Sequence, residues 1–349
     1  MKRKTLFFTA PEEVELREEA LPAPGPHDVL VETMVSAISA GTEMLVYRGQ
    51  FPKVGEAFDA ISSGIHYPVP YGYACVGRVL ETGSEVDSYW VDRLIFSFQP
   101  HTSHFIAKPA SLFPLPTDLS PDTACFLPSI ETAVNLVQDA APILGECALV
   151  LGQGVVGLLT TALLREFPIE SLVTADSYPL RRKSSLDLHV TSSLDPQKPE
   201  FYETALRDSH QTNEPGPGLA PPALGPGFDL AFELSGNPAA LNSAITLTKF
   251  SGRILIGSWY GEKQAPIDLG SSFHRSRIRL ISSQVSTIAP ELGARWDKSR
   301  RFEVAWNALR RIKPEKWITH RFPLSEAARA YQLLDSSPAQ TIQVIFQFP

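Results

Sequence analysis

Cysteine is scarce. The 349 residues hold three, Cys75, Cys125 and Cys147, widely spaced and with no C-x-x-C among them. That excludes a disulfide framework and a four-cysteine zinc lobe, and it points to a reducing compartment, the cytoplasm by default. No apolar run approaches the ~18 residues of a membrane span. The stretch MKRKTLFFTAPEEVEL has basic residues, but its apolar part is too short for a signal peptide and acids follow soon after. An excess of positive charge is lacking too. A net charge of −7 counts against nucleic acid as the main partner, because phosphate binding needs clustered Lys and Arg. No internal repeat is visible. Apolar residues at 43% and charged residues at 20% leave the balance of an ordinary globular protein, and the length suggests about two domains.

What is present centres on residues 147–176. Ala148-Leu149-Val150-Leu151 reads as a short buried strand. Gly152-Gln153-Gly154-Val155-Val156-Gly157 follows as a complete G-x-G-x-x-G, and a helical pattern runs from Val155 to Arg165, short of Pro168. Leu172 to Ala175 is a second buried strand that ends at Asp176. This order predicts a dinucleotide-binding βαβ unit. Gly152 permits the tight turn, Gly154 admits the pyrophosphate and Gly157 lets helix and strand pack. The phosphates would meet free N–H groups at the helix N-terminus. Asp176 is placed to accept hydrogen bonds from the adenosine ribose, and its charge favours NAD over NADP. Arg181 and Arg182 could neutralise a 2′-phosphate, although exposed helix arginines are the plainer reading.

Along the rest of the chain, residues 1–27 suggest two edge strands and a turn. Asp28 to Val35 reads as a half-buried strand, and Ser36 to Glu43 as a small-residue loop opening a polar helix or turn. Residues 49–68 read as loop. Strands follow at Cys75–Glu81, Leu94–Phe98 and Ser103–Ala107, a barrel-like β pattern. Ser120 and Pro121 look like the N-cap and first residue of a helix, and residues 127–139 carry another. After Asp176, strands at 228–234 and 252–257 flank a helix at Pro238–Thr248, so residues 147–260 predict a parallel sheet covered on both faces. Residues 210–227, rich in proline and glycine, read as a surface loop. Helices near 299–312 and 325–335 and a strand at Thr341–Gln347 close the chain.

A β-rich N-terminal part followed by a mid-chain dinucleotide unit resembles the medium-chain dehydrogenase/reductase superfamily, that of the zinc alcohol dehydrogenases. SAISAGTEMLVYRG, YPVPYGYACVGRVLETG, VLGQGVVGLL with Asp176, FDLAFELSGNPAALNSAITLTKFSGRILIGSWYG and ITHRFPLSEAARAYQLLD carry the likeness. It implies an α/β protein: a GroES-like β-barrel substrate domain over 1–128 and 284–349, and a Rossmann doubly wound parallel-sheet domain over 129–283. It places Leu234, Ser235, Gly236, Gly257 and Ser258 at the nicotinamide pocket, with Trp259, Phe51 and Tyr47 as aromatic walls or simply packing. It also implies a small-molecule substrate and a homodimer.

The departures matter as much. Where zinc members carry their ligands, this chain reads Ala40-Gly41-Thr42-Glu43, Gly72-Tyr73-Ala74 and Leu127-Pro128. Catalytic zinc needs three protein ligands, so none is expected here. His101 and His104 offer only two donors and a poor metal site. G-T-E and the approach to Tyr73 look most like the bacteriochlorophyllide dehydrogenase branch, which oxidises a hydroxyethyl group with NAD, although Tyr71 and Ala74 depart from its pattern. Thr42 is the expected proton relay, Tyr73 a hydrogen-bond donor to the substrate oxygen, and Glu43 a base or orienter, with pairing to an arginine as its structural alternative. The leading expectation is a zinc-independent NAD(H) alcohol dehydrogenase or ketone reductase. An NADPH-dependent enone or quinone reductase and a non-enzymatic nucleotide-binding protein are the alternatives.

Overall fold

The computed structural model describes residues 1–51, 66–209 and 226–349. In chain order these form β1 (Lys2–Ala10), β2 (Glu13–Ala20), β3 (Val29–Ile38), α1 (Thr42–Tyr47), β4 (Val69–Pro70), β5 (Cys75–Thr82), β6 (Leu94–Ser97), β7 (His104–Ala107), β8 (Phe113–Pro114), α2 (Pro121–Ala124) and α3 (Leu127–Ala140). There follow β9 (Cys147–Leu151), α4 (Val155–Leu164), β10 (Ser171–Ala175), α5 (Pro179–Leu186), β11 (Ser192–Leu194), α6 (Phe201–Asp208), β12 (Phe228–Glu233), α7 (Ala240–Leu247), β13 (Thr248–Ile256) and β14 (Arg279–Ser282). The chain closes with α8 (Lys298–Ile312), β15 (Ile318–Pro323), α9 (Ala327–Ser336) and β16 (Gln343–Gln347). The expected loops over 49–68 and 210–227 lie largely outside the described residues.

The chain divides into two units, Met1–Pro128 with Leu309–Pro349, and Ser129–Ala308. The first is β-rich. One sheet runs β15-β16-β3-β5-β6-β8, with β7 also on β3, and a smaller one runs β2-β1-β4. Val29, Val31, Cys75, Val79, Ile95 and Phe105 fill one core. Leu6, Phe8, Met44, Tyr331 and Phe346 belong to a second. The C-terminal strand β16 pairs antiparallel with β3, Phe346 opposite Ser36 and Val344 opposite Ile38. That pairing extends β3 through Ser36–Ile38, where the composition suggested a loop. α1 also differs from expectation. Met44 to Tyr47 are all buried, so it is an apolar core helix and not a polar one.

The second unit is a six-stranded sheet in the order β11-β10-β9-β12-β13-β14, with neighbouring strands paired parallel throughout. This is the doubly wound order in which the sequence direction reverses beside the first strand, and ligands gather at the carboxyl ends there. Cys147–Leu151 and Ser171–Ala175 are buried at every position, as strands covered on both faces must be. Residues through Ala308 belong to the second unit. The fully buried Arg301 side chain donates to Glu131, Asn135 and the carbonyls of Val285 and Thr287, which ties residues 285–301 to α3. Among the described residues, no helix is long and apolar enough to cross a membrane.

Candidate functional site

The dinucleotide loop is built as its glycines demand. Gly152 follows β9 at φ +93°, and a Cβ there would lie 2.6 Å from the Leu234 carbonyl carbon. Only glycine suits both the conformation and the gap. A Cβ on Gly157 would meet the Gly152 carbonyl oxygen at 2.0 Å, so α4 lies directly against the turn. Gly154 caps α4 and is open, with only the Arg181 guanidinium at 3.9 Å from its Cβ position. Gln153 is buried. Its side chain donates to Gly152 O and accepts from the Thr161 hydroxyl, clamping the loop to the helix. Val155 and Val156 open α4 half-buried.

Asp176 holds the other end of this cradle. Oδ2 accepts the Gln153 N–H and Oδ1 the Tyr178 N–H, each at 2.8 Å. A carboxylate has about four acceptor positions, so capacity remains for ribose hydroxyls. Arg181 and Arg182 are not the exposed arginines the sequence suggested. Both are partly buried: Arg181 stacks over Tyr178, and Arg182 bonds Asp195 and the Asp176 carbonyl. The open Gly154 face, the free α4 N-terminus and the remaining acceptor capacity of Asp176 fit a dinucleotide.

At the carboxyl ends of β12 and β13 the predicted residues come together. Leu234 N–H bonds Leu151 O, Gly257 N–H bonds Glu233 O, and Gly236 N–H bonds the Ser258 hydroxyl at 2.9 Å. A feature the sequence did not reveal lies beneath them. Glu233 is fully buried and accepts from the Ser235 N–H and hydroxyl and from the Tyr260 hydroxyl. Burial, then the Glu233 charge, raises the Tyr260 phenol far above its ordinary range.

In the first unit, Gly41 precedes α1 and places Thr42 and Glu43 in its first turn. The Tyr73 phenol lies near the side chains of Ser39 and Thr42. Burial, reinforced by the nearby Glu43 charge, pushes the phenol up to about 12. Tyr73 is therefore a neutral hydrogen-bonding group at any working pH. Glu43 does not pair with an arginine. Oε1 accepts the Ser39 N–H at 2.8 Å, and Oε2 accepts from His101 Nε2 at 2.9 Å and the Tyr331 hydroxyl at 2.6 Å. Glu43 is thus fully buried and met by three hydrogen-bonding groups. His101 and His104 do not converge: His104 lies near Glu32 and Ser103. Tyr47 stacks on Tyr331 in the core, Phe51 packs against the same cluster, and Trp259 is half-buried.

The residues present do not suit zinc. Ala40, Tyr73 and Leu127-Pro128 supply no strong ligand at the matching positions. Burial pushes the Cys75 thiol up to about 12 and raises that of Cys125, and both donate to backbone carbonyls. Among the described residues, no group of three His, Cys, Asp or Glu is arranged to hold a metal ion.

No protein-family model matches the chain. L-threonine 3-dehydrogenase of Xanthomonas oryzae pv. oryzae (strain MAFF 311018) is 21% identical over 356 residues, covering 93% of this chain and 94% of that protein. The alcohol dehydrogenase of E. coli CFT073 complexed with NADH superposes with a TM-score of 0.76 at 18% identity, over 99% of both chains. 2R,3R-Butanediol dehydrogenase from Bacillus subtilis gives 0.77 at 18% identity, over 99% of this chain and 100% of that one. The chain shares its fold with these dehydrogenase structures. The GroES-like and Rossmann architecture expected from the sequence is thus present.

Proposed function

We propose that this chain is an NAD(H)-dependent oxidoreductase that interconverts a secondary alcohol and a ketone on a bulky, partly apolar substrate, without zinc. The observation that carries this reading is the Thr42–Tyr73 hydroxyl pair, set beside the buried Glu43 where the zinc-ligand motifs are lost. The dehydrogenase relatives support the redox class, and the Asp176 carboxylate supports NAD. Bound nicotinamide supplies the hydride acceptor. Tyr73 stays protonated and donates to the substrate oxygen, and Thr42 accepts the carbinol proton as it passes its own to water. No Lewis acid is available from these side chains, so hydroxyl donors polarise the oxygen in its place.

Arg181 favours one further reading. Its guanidinium lies over the Gly154 face, 3.9 Å from Asp176 Oδ2, where it could meet a 2′-phosphate. An NADPH-dependent enone or quinone reductase would use that arrangement and needs no hydroxyl relay. We further assign a homodimer through the β14 edge and a reducing, cytoplasmic setting that suits the three buried free thiols.

The test is a substrate screen with NAD and NADP on protein of measured zinc content, before and after chelation. Secondary alcohols, hydroxyethyl tetrapyrroles and enones form the panel. Chelator-insensitive oxidation of a secondary alcohol with NAD supports the function. Enone reduction alone, or activity that tracks zinc, overturns it.

A further inference from the structure

Glu43 is a fully buried carboxylate at the start of α1, and a chain of hydrogen bonds runs away from it. His101 Nε2 lies 2.9 Å from Oε2, and His101 Nδ1 lies 2.7 Å from the Ser36 hydroxyl. Tyr331, from α9, reaches the same carboxylate oxygen at 2.6 Å. The histidine ring is itself fixed. Phe346 packs edge-on against it at 4.9 Å, and its backbone N–H bonds the Tyr71 carbonyl. A Cβ on Gly72 would lie 2.9 Å from the ring, so the glycine beside Tyr73 makes the room that His101 occupies. These contacts converge on the residue next to Thr42.

The hydrogen bonds assign the chemistry. Three donors meet Glu43, which is the pattern of an ionised carboxylate, an acceptor only. An isolated charge in such a place is strongly disfavoured unless it is hydrogen-bonded on every side. His101 must keep its proton on Nε2 to donate to Glu43. Its Nδ1 faces a hydroxyl that can donate or accept, so the ring remains satisfied whether neutral or cationic. The titratable groups around Glu43 are His101 from the stretch after β6, Tyr331 from α9, and Tyr73 and Cys75 from the start of β5, with Tyr71 acting on Tyr331.

We infer that His101 is a positioning residue for the Thr42–Tyr73 hydroxyl pair, holding the Glu43 carboxylate beside Tyr73 through its Nε2–H while Tyr331 holds the same oxygen. The inference rests on the proposed role of that pair and names what organises it in place of a metal. Burial, reinforced by the Glu43 charge, keeps the Tyr73 phenol protonated and so a donor.

The network can be read without substrate or cofactor. Protein labelled with 13C at the tyrosine ζ-carbon is titrated by NMR, with Tyr73→Phe assigning the signal. In the native protein the Tyr73 midpoint is expected at about 12. Glu43→Gln and His101→Leu each lower it toward the ordinary phenol value of ~10. His101→Gln, which keeps an N–H donor, returns it to within half a unit of native. A native midpoint in His101→Leu overturns the inference, and so does a loss in His101→Gln equal to that in His101→Leu. A second measurement needs no variant at position 101. The native protein should show a slowly exchanging, downfield imidazole Nε2–H proton that Glu43→Gln abolishes, and its absence also overturns the inference. Failure of the protein to oxidise any alcohol would overturn the proposed function and leave these two readings standing.

Discussion

Asp176 Oδ2 accepts the backbone N–H of Gln153 at 2.8 Å, so the acid that ends β10 also fixes the second residue of the glycine loop. The same carboxylate therefore shapes the cradle and, in the proposed function, selects the cofactor. Asp176→Ala should weaken NADH binding ~10- to 100-fold, the worth of a hydrogen bond to a charged group at about 1.5–3 kcal/mol. It should also narrow the preference over NADPH, because it removes the carboxylate 3.9 Å from Arg181. Fluorescence titration with both cofactors measures this, with a thermal melt as the control for folding.

The glycine loop has no slack. A Cβ on Gly157 would meet backbone atoms of Gly152 at 2.0 and 2.9 Å, and backbone cannot yield as a side chain can. Gly157→Ala should cost about 1–3 kcal/mol of stability and lower NADH affinity more than tenfold. Urea unfolding and the same titration check the two effects separately.

Thr42→Ala should cut secondary-alcohol oxidation ~10²- to 10⁴-fold, the usual contribution of a positioned proton-transfer group. NADH affinity should stay within twofold, since Asp176 and the glycine loop belong to the other unit. Enone reduction, if any is present, should survive. Steady-state kinetics on the two substrate classes separate these outcomes.

Tyr73 gives stability a pH dependence of known sign. Its phenol is raised from 10 to about 12 in the folded protein. Between those values the unfolded chain loses the proton first, so folding is favoured below pH ~10 and that contribution is lost as pH climbs toward 12. The loss is on the order of 2–3 kcal/mol. Other buried phenols and thiols act in the same direction, so the quantity to measure is the difference between native protein and Tyr73→Phe. That difference, from urea unfolding at pH 9 and pH 11.5, should shrink at the higher pH.

Arg301 tests the second unit independently. It is fully buried, with Glu131 Oε1 at 2.9 Å. Arg301→Met leaves that carboxylate short of a partner and should cost about 3–5 kcal/mol. Adding Glu131→Gln should recover part of the loss in a thermal or urea melt.

Local features were legible in the sequence and distant ones were not. β9, the glycine loop, α4, β10 and Asp176 lie within one short stretch, so strand, turn, helix and acid could be read in order. Ser120 and Pro121 announced α2, and the Ser120 side chain does accept the Thr123 N–H. The surroundings of Glu43 could not be read this way. His101 lies 58 residues away and Tyr331 288 residues away, and the pairing of β16 with β3 joins the C-terminal segment to that sheet. Glu233 looked like an ordinary strand end until Tyr260 was seen to reach it. β15, ITHRFP, and α6, FYETALRD, carry too few apolar residues in regular spacing to stand out alone. α1 was misjudged because Thr42 and Glu43 are polar at its start, whereas its remaining residues fill the core.

The most direct measurement is a fluorescence titration of the purified protein, its zinc content determined, with NADH and separately with NADPH. Tighter binding of NADH without stoichiometric zinc is the predicted result, and it would support both the Asp176 reading and chemistry by hydroxyl donors. Tighter binding of NADPH, stoichiometric zinc, or binding of neither cofactor would contradict it.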